Sequence, residues 1–335
     1  MSVFQTTRRT ILQLIGSLPI FRAAPSKAAD TFSLIPALAP GQVMCYQLES
    51  RVVRNSAMAH RTRSTVTLEI VEDLPDGWRA RWTSTNSTLL EADPRMRPLL
   101  EVMLGLWNGA SFDLLLDCGG RVVDLADHEA VRALGEISLE RIVAELARDP
   151  QRAPMAAPIR AALAPTLAEG GLLAQSLLKE PRILLGAMGQ EFRVGEPLEV
   201  RTRIPSPLGT GEIPVLGRYK VRGLAPHQAQ ADIGWLMVID RAGAAQTVGD
   251  EINALLPDAV MTASTAAGQG SGRTPREEIA DALSTLDFDD RGDYIVDTTS
   301  AWPIRVRHER QVSAGAGSHL EAVEFTPLGD WPTNV

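Results

Sequence analysis

Three early segments, residues 43–53, 63–72 and 78–84, alternate apolar and polar side chains with a period of two. That period is the mark of a strand with one dry and one wet face, and it rules out an amphipathic helix over the same residues. Asp73–Gly77 separates the second and third segments with Pro75 and an Asp76-Gly77 pair, so they predict a hairpin with Trp78, Ala80 and Trp82 on one face. Asp93-Pro94 then predicts a helix start, with Asp93 as N-cap and Pro94 first inside, running to about Trp107. Residues 111–117 and 121–125 predict a second hairpin around Cys118-Gly119-Gly120.

The C-terminal third repeats this order. Strands are predicted over 216–224, 230–241, 293–297, 304–312 and 319–326. Residues 262–274 (TASTAAGQGSGRT) have flexible-linker composition, and Thr274 and Glu277 then stand as a capping box for a helix. Pro94 precedes Asp113-Leu-Leu-Leu-Asp117 much as Pro275 precedes Asp293-Tyr-Ile-Val-Asp297. The expectation is an α+β fold: a largely antiparallel curved β-sheet built from two repeated β-β-α-β-β units. The first unit spans 29–126 and the second 193–335. Between them, 127–192 is a helical insert covering one face, with Val131, Leu134, Ile142, Val143 and Leu146 as its apolar stripe.

The N-terminus is organised differently. Arg8 and Arg9 precede a short, mildly apolar run from Thr10 to Phe21, too short to span a bilayer, and Ser26-Lys27-Ala28 follows Pro25. This pattern predicts a cleavable export signal cut after about Ala28. Thr7-Arg8-Arg9-Thr10-Ile11-Leu12 resembles the core of twin-arginine signal peptides, with Ile11 where Phe is usual. The resemblance implies delivery of a folded protein to the periplasm by the twin-arginine export machinery. The body is loosely similar to uncharacterised bacterial secreted β-rich proteins, a likeness that implies no activity.

Cleavage would remove four basic residues and no acid, taking the formal charge from −8 to 29 − 41 = −12. Such a chain repels phosphate backbones, which excludes nucleic acid as a partner, and nothing after the signal is a membrane span. Phosphate loops, Gly-x-Ser-x-Gly, His-Glu-x-x-His and Cys-x-x-Cys are all missing from the sequence, and the five histidines lack metal-ligand spacing, so neither cofactor nor metal is expected. Asp117 and Asp297 hold matching places in the two proposed units and slightly resemble the paired Asp-Thr/Ser-Gly motifs of aspartic peptidases. Cys118 and Thr299 depart from that pattern, and an Asp before a turn also bonds its own backbone. Cys45 and Cys118, expected on neighbouring strands, are a candidate disulfide or two buried thiols.

The run from Leu172 to Met188 is dense in large apolar residues and is interrupted by Pro181 and Gly186. It reads either as core or as a hinged cover over a groove, with Leu172, Leu173, Leu177, Leu184 and Met188 as candidate ligand contacts. The leading expectation is a non-catalytic periplasmic binding or carrier protein for a lipid, another apolar ligand or an envelope partner. The alternatives are a carboxylate hydrolase using Asp117 and Asp297, and a protein–protein scaffold using sheet edges.

Overall fold

The computed structural model describes residues 31–94, 96–148, 150, 153–163, 172–205, 212–225, 229–239, 243, 287–314 and 317–329. The predicted signal, the segment 262–274 and the helix expected from Thr274 lie outside these residues. Strands β1 (Thr31–Ser33), β2 (Val43–Arg54), β3 (Ala57–Leu74) and β4 (Gly77–Ala92) lead to helix α1 (Arg97–Trp107). Then come β5 (Ser111–Asp117), β6 (Val122–Leu125), α2 (His128–Arg148), α3 (Ala156–Leu163) and α4 (Leu172–Leu184). The second half holds β7 (Glu191–Arg193), β8 (Pro197–Pro205), β9 (Glu212–Ala225), β10 (Gln230–Ile239), β11 (Asp287–Asp297), β12 (Pro303–Ala314) and β13 (Gly317–Pro327).

Eleven strands form one antiparallel sheet in the order β6-β5-β4-β3-β2-β13-β12-β11-β10-β9-β8, and β1 pairs with β7 in a separate ribbon. Each half is a meander, joined where β13 lies beside β2. The sheet is not closed: β6 and β8 are its two edges among the described residues. Three register shifts between β3 and β4 bend that long hairpin, as bulges do.

Alternation sorts the side chains cleanly. Met44, Tyr46, Leu48, Val66, Leu68, Ile70, Ala80 and Trp82 face inward and are buried. The outward face between them is a lattice of charge. Glu49 pairs with Arg61 and Arg63, Glu309 with Arg51 and Arg291, Glu324 with Arg305 and Arg307, and Asp293 with Arg222. A broad hollow of about 650 Å³ on this face is lined by four of these arginines and all four carboxylates, so its charges cancel. It has the character of a solvated, ion-paired surface.

The inward face is filled by the end of α4 and the residues after it. Leu178, Leu184, Leu185, Ala187 and Met188 are buried in one core with Leu116 and Leu125 from the first half and Tyr219, Val221, Tyr294 and Val296 from the second. Glycines permit the closest approach. A Cβ on Gly119 would lie 2.8 Å from the Cα of Gly189, which has φ of +69°, so two backbones meet where the β5–β6 turn crosses the segment after α4.

Several sequence expectations need correction. Asp93 is not the N-cap of α1. Its carbonyl accepts from the N–H of Met96 and of Arg97 in a preceding turn, the cap position is Met96, and Pro98 takes the early-helix place expected of Pro94. Pro181 does not break the insert, because α4 runs through it and ends one turn later. A proline there forfeits one backbone bond near a terminus, where packing offsets the loss. Cys45 and Cys118 are free and not on neighbouring strands: Cys45 is on β2 and Cys118 is exposed in the β5–β6 turn, with β3 and β4 between. Three strand spacings, about 14 Å, exceed the roughly 7 Å between Cα atoms that a disulfide tolerates.

The packing sets a graded expectation along α4. Leu184→Ala, at a position 1% exposed, is expected to lower unfolding stability in urea by about 2–5 kcal/mol. Leu173→Ala, at a half-buried position, is expected to lose well under half as much. Equal losses would contradict the described packing.

Candidate functional site

Strand register organises the inward face into rows. The row beneath the end of α4 is apolar throughout: Leu48, Phe325, Val306, Tyr294, Ile233 and Val221, on successive strands. One pleat along, the row is Ser50, Val323, His308, Gly292 and Trp235. The next is His60, Val52, Glu321, Arg310, Asp290 and Met237. A band of charge therefore crosses an otherwise apolar surface.

Its centre is Asp290, which is 0% exposed. Arg310 grips Oδ2 through Nε at 2.7 Å and Nη2 at 2.6 Å. Oδ1 lies 2.6 Å from His308 Nε2, without the alignment of a hydrogen bond. Trp235 leans over Gly292 to set its ring 5.4 Å from that of His308. A Cβ on Gly292 would come within 3.4 Å of the indole, so glycine makes room for this stack. Arg310 also lies over the Phe288 ring at 5.7 Å. A carboxylate removed from water in this way is tolerable only because both partners sit beside it.

Helix α4 brings the remaining charges. Lys179 forms an ion pair with Glu321 on β13. Burial would raise the Glu321 carboxyl, but Lys179, with help from Arg310 and His319, holds it below its usual value. Glu180 is the counterpart. Burial and the neighbouring Glu321 push its carboxyl up, and Lys179 only partly opposes them. Glu180 falls between Leu177 and Leu184 at helical spacing, on the stripe that faces the sheet.

At its other end α4 is pinned. Tyr294 donates its hydroxyl to the Ile183 carbonyl at 3.0 Å, and Tyr219 donates to the Gly186 carbonyl at 2.9 Å. Both phenols stay neutral donors: burial pushes Tyr219 up to about 12 and Tyr294 well above the ordinary value. They add hydrogen bonds to one carbonyl in the last turn of α4 and one just beyond it. Arg182 donates to the Val123 carbonyl on the edge strand β6 at 3.2 Å.

The expected ligand contacts separate along the helix. Leu184 and Met188 are 1% and 2% exposed and belong to the closed core. Leu173 and Leu177, nearer the N-terminal end, pack against that core but are only partly buried. The side chain of Leu172 lies outside the described residues. Asp117 ends β5 and Asp297 ends β11. Each closes its own turn. Asp117 Oδ1 accepts from Gly119 N and Arg121 N, and Asp297 Oδ1 accepts from Thr299 N and Ser300 N. Burial pushes the Asp117 carboxyl up, but the Arg121 side chain and these backbone donors prevail and hold it low. Each of these carboxylates is thus engaged by the backbone of its own turn.

Sequence reasoning missed the charged band. Asp290 and His308 were legible only as polar letters within strands, and no spacing rule links residues on adjacent antiparallel strands. Chemically the band holds charge in place. Among the described residues, His308 has no bonded hydroxyl or thiol to deprotonate, its contacts being Asp290 and Trp235. Nor do three His, Cys, Asp or Glu side chains gather there as a metal site among those residues. No described helix is long and apolar enough to cross a membrane.

No family model and no curated protein matches this chain. Among solved structures, one of lipovitellin, concerned with its lipid–protein interactions, is similar at 12% identity and a TM-score of 0.38. That match covers 89% of this chain and 26% of the lipovitellin chain, so this chain spans about a quarter of it. A likeness at that TM-score carries neither fold nor function.

Glu180 gives a signed pH expectation. Its carboxyl is raised above the ordinary 4.5 in the folded state, so its ionisation opposes folding and stability falls as pH rises from 4.5 through the raised value. Glu180→Gln is expected to raise Tm at pH 7 and to change it little near pH 4. A neutral-pH loss of stability in that variant would mean the carboxylate is paired instead.

Proposed function

We propose that this chain is an exported, non-catalytic binding or carrier protein for an apolar ligand, working in the periplasm after twin-arginine delivery and removal of residues 1–28. The observation that carries the reading is the burial gradient along α4. One end is locked into the core by Leu184, Leu185 and Met188 and by two tyrosine hydroxyls. The other end presents Leu173 and Leu177 only half-buried over the inward face of an unclosed sheet. A cover fixed at one end and looser at the other can lift from an apolar surface without unfolding the core. Glu180, disfavoured in its ionised form on the sheet-facing stripe, lowers the free energy needed to lift it. In this reading the ligand contacts narrow to Leu173 and Leu177 on the helix side.

The duplication proposed from sequence is supported by strand order. The meanders β3-β4-β5-β6 and β9-β10-β11-β12 run in the same sense along the sheet, and Asp117 and Asp297 make similar turns in them.

Protein recovered from the periplasm without detergent tests the whole reading by native mass spectrometry. The expected result is a chain lacking residues 1–28, carrying an apolar adduct that organic solvent removes. The double variant Leu173→Asn, Leu177→Asn is expected to keep its far-ultraviolet circular dichroism and lose the adduct. A single apo mass for the wild type would remove the carrier reading. A full-length mass in the cytoplasm would remove export alone.

A further inference from the structure

The two edges of the sheet are built differently. Strand β6 has four residues, and its Val123 carbonyl is already taken by Arg182. Strand β8 has nine residues, PLEVRTRIP, and pairs only with β9, so one side of its backbone is unpaired among the described residues. Pro197 and Pro205 lack N–H groups and bound the usable stretch to residues 198–204.

The side chains along that edge are also distinctive. Arg201, Thr202 and Arg203 are exposed, and Arg201 has no ion-pair partner among the described residues. The other outward-facing arginine nearby, Arg218, is already held by Glu199 at 2.8 Å. Register sets Arg201 beside Leu216, which in turn lies beside Val238, and sets Arg203 beside Pro214. These residues line a shallow hollow of about 570 Å³. Leu236 and Val238 are each 41% exposed, on a face that is otherwise ion-paired. An apolar floor with an arginine on its open edge is the reverse of the compensated lattice at the sheet's centre.

We infer that the β8 edge is a docking site for an extended acidic segment of a partner protein, which adds a twelfth antiparallel strand beside residues 198–204. Main-chain hydrogen bonds to the side of β8 that no described strand occupies supply the registration. Carboxylates alternating along the incoming strand place one opposite Arg201, because cross-strand neighbours of opposite charge attract. Apolar residues on the strand's other face continue the inward surface that Leu198 and Val200 begin. A second copy of this chain fits less well. The two-fold register that opposes Glu199 to Arg203 sets Arg201 against its own symmetry mate, and Glu199 is already held by Arg218.

The test uses the mature chain and two seven-residue peptides, Val-Glu-Val-Glu-Val-Glu-Val and its Lys counterpart, each labelled for fluorescence anisotropy. The Glu peptide is expected to bind at least about tenfold more tightly than the Lys peptide, and to weaken as salt is raised. It is also expected to slow amide exchange within residues 198–204. Arg201→Glu, at an exposed position where folding can be confirmed by circular dichroism, is expected to reverse the preference between peptides. Equal binding of both peptides, indifference to Arg201→Glu, or exchange protection elsewhere in the sheet would overturn the inference. So would Arg201-dependent binding to anionic phosphatidylglycerol vesicles in place of peptide. Wild-type protein that ignores both peptides, while Arg201→Thr with Arg203→Thr self-associates, would show that the arginines serve only to keep edges apart.

Discussion

The fold depends on one short stretch meeting both ends of the sheet. Residues 183–189 take hydrogen bonds from Tyr294 on β11 and Tyr219 on β9, and touch the β5–β6 turn through the Gly119–Gly189 contact. Eleven strands laid flat would separate β5 from β9 by about 40 Å at the usual spacing. Both reach the same seven residues because the sheet curls around them. The two hydrogen bonds are each worth only about 1 kcal/mol net. Their larger effect is geometric: they fix where the plug sits, and the plug fixes how far the sheet can close.

That constraint explains the division of the inward face. Near the plug, every row position is apolar, and dispersion and burial favour one packed arrangement. Farther along, the charged band from Asp290 to Glu321 interrupts the apolar surface at the strands α4 crosses. Hydrophobic residues of similar size would pack there at least as stably. In the carrier reading, charge at this place acts in two directions: Lys179 pairs with Glu321 on β13, while ionisation of Glu180 is disfavoured where α4 packs. Function, in the carrier reading, follows from a helix held firmly at one end and balanced at the other.

Much of the sheet was legible from alternation. Strands 43–53, 111–117 and 319–326 were placed within about two residues of the observed bounds, because a sheet with one wet face writes its period directly into sequence. The inward set of Ala80 and Trp82 followed from the same rule. The helix starting at Asp93 was misplaced because Asp-Pro signals a turn as readily as a cap, and the turn prevailed. Pro181 misled in the opposite direction, since tertiary packing held the helix through it. The charged band was not legible at all. Asp290, Arg310 and Glu321 are joined by register, and register is settled only when whole strands pair. The Asp turns at 117 and 297 were legible as turns, because an Asp before a turn bonds its own backbone.

The central claim is that α4 has one anchored end and one loose end. Hydrogen exchange resolved to single amides tests it without altering the protein. Amides of residues 184–189 are expected to exchange only through global unfolding, with the same free energy and denaturant dependence as β2 and β13. Amides of residues 174–180, excluding nothing but their own fraying, are expected to exchange through a smaller opening that depends weakly on denaturant and becomes easier from pH 5 to pH 8, after correction for intrinsic rates. Uniform protection along the whole of α4, matching the core strands at both pH values, would contradict the account.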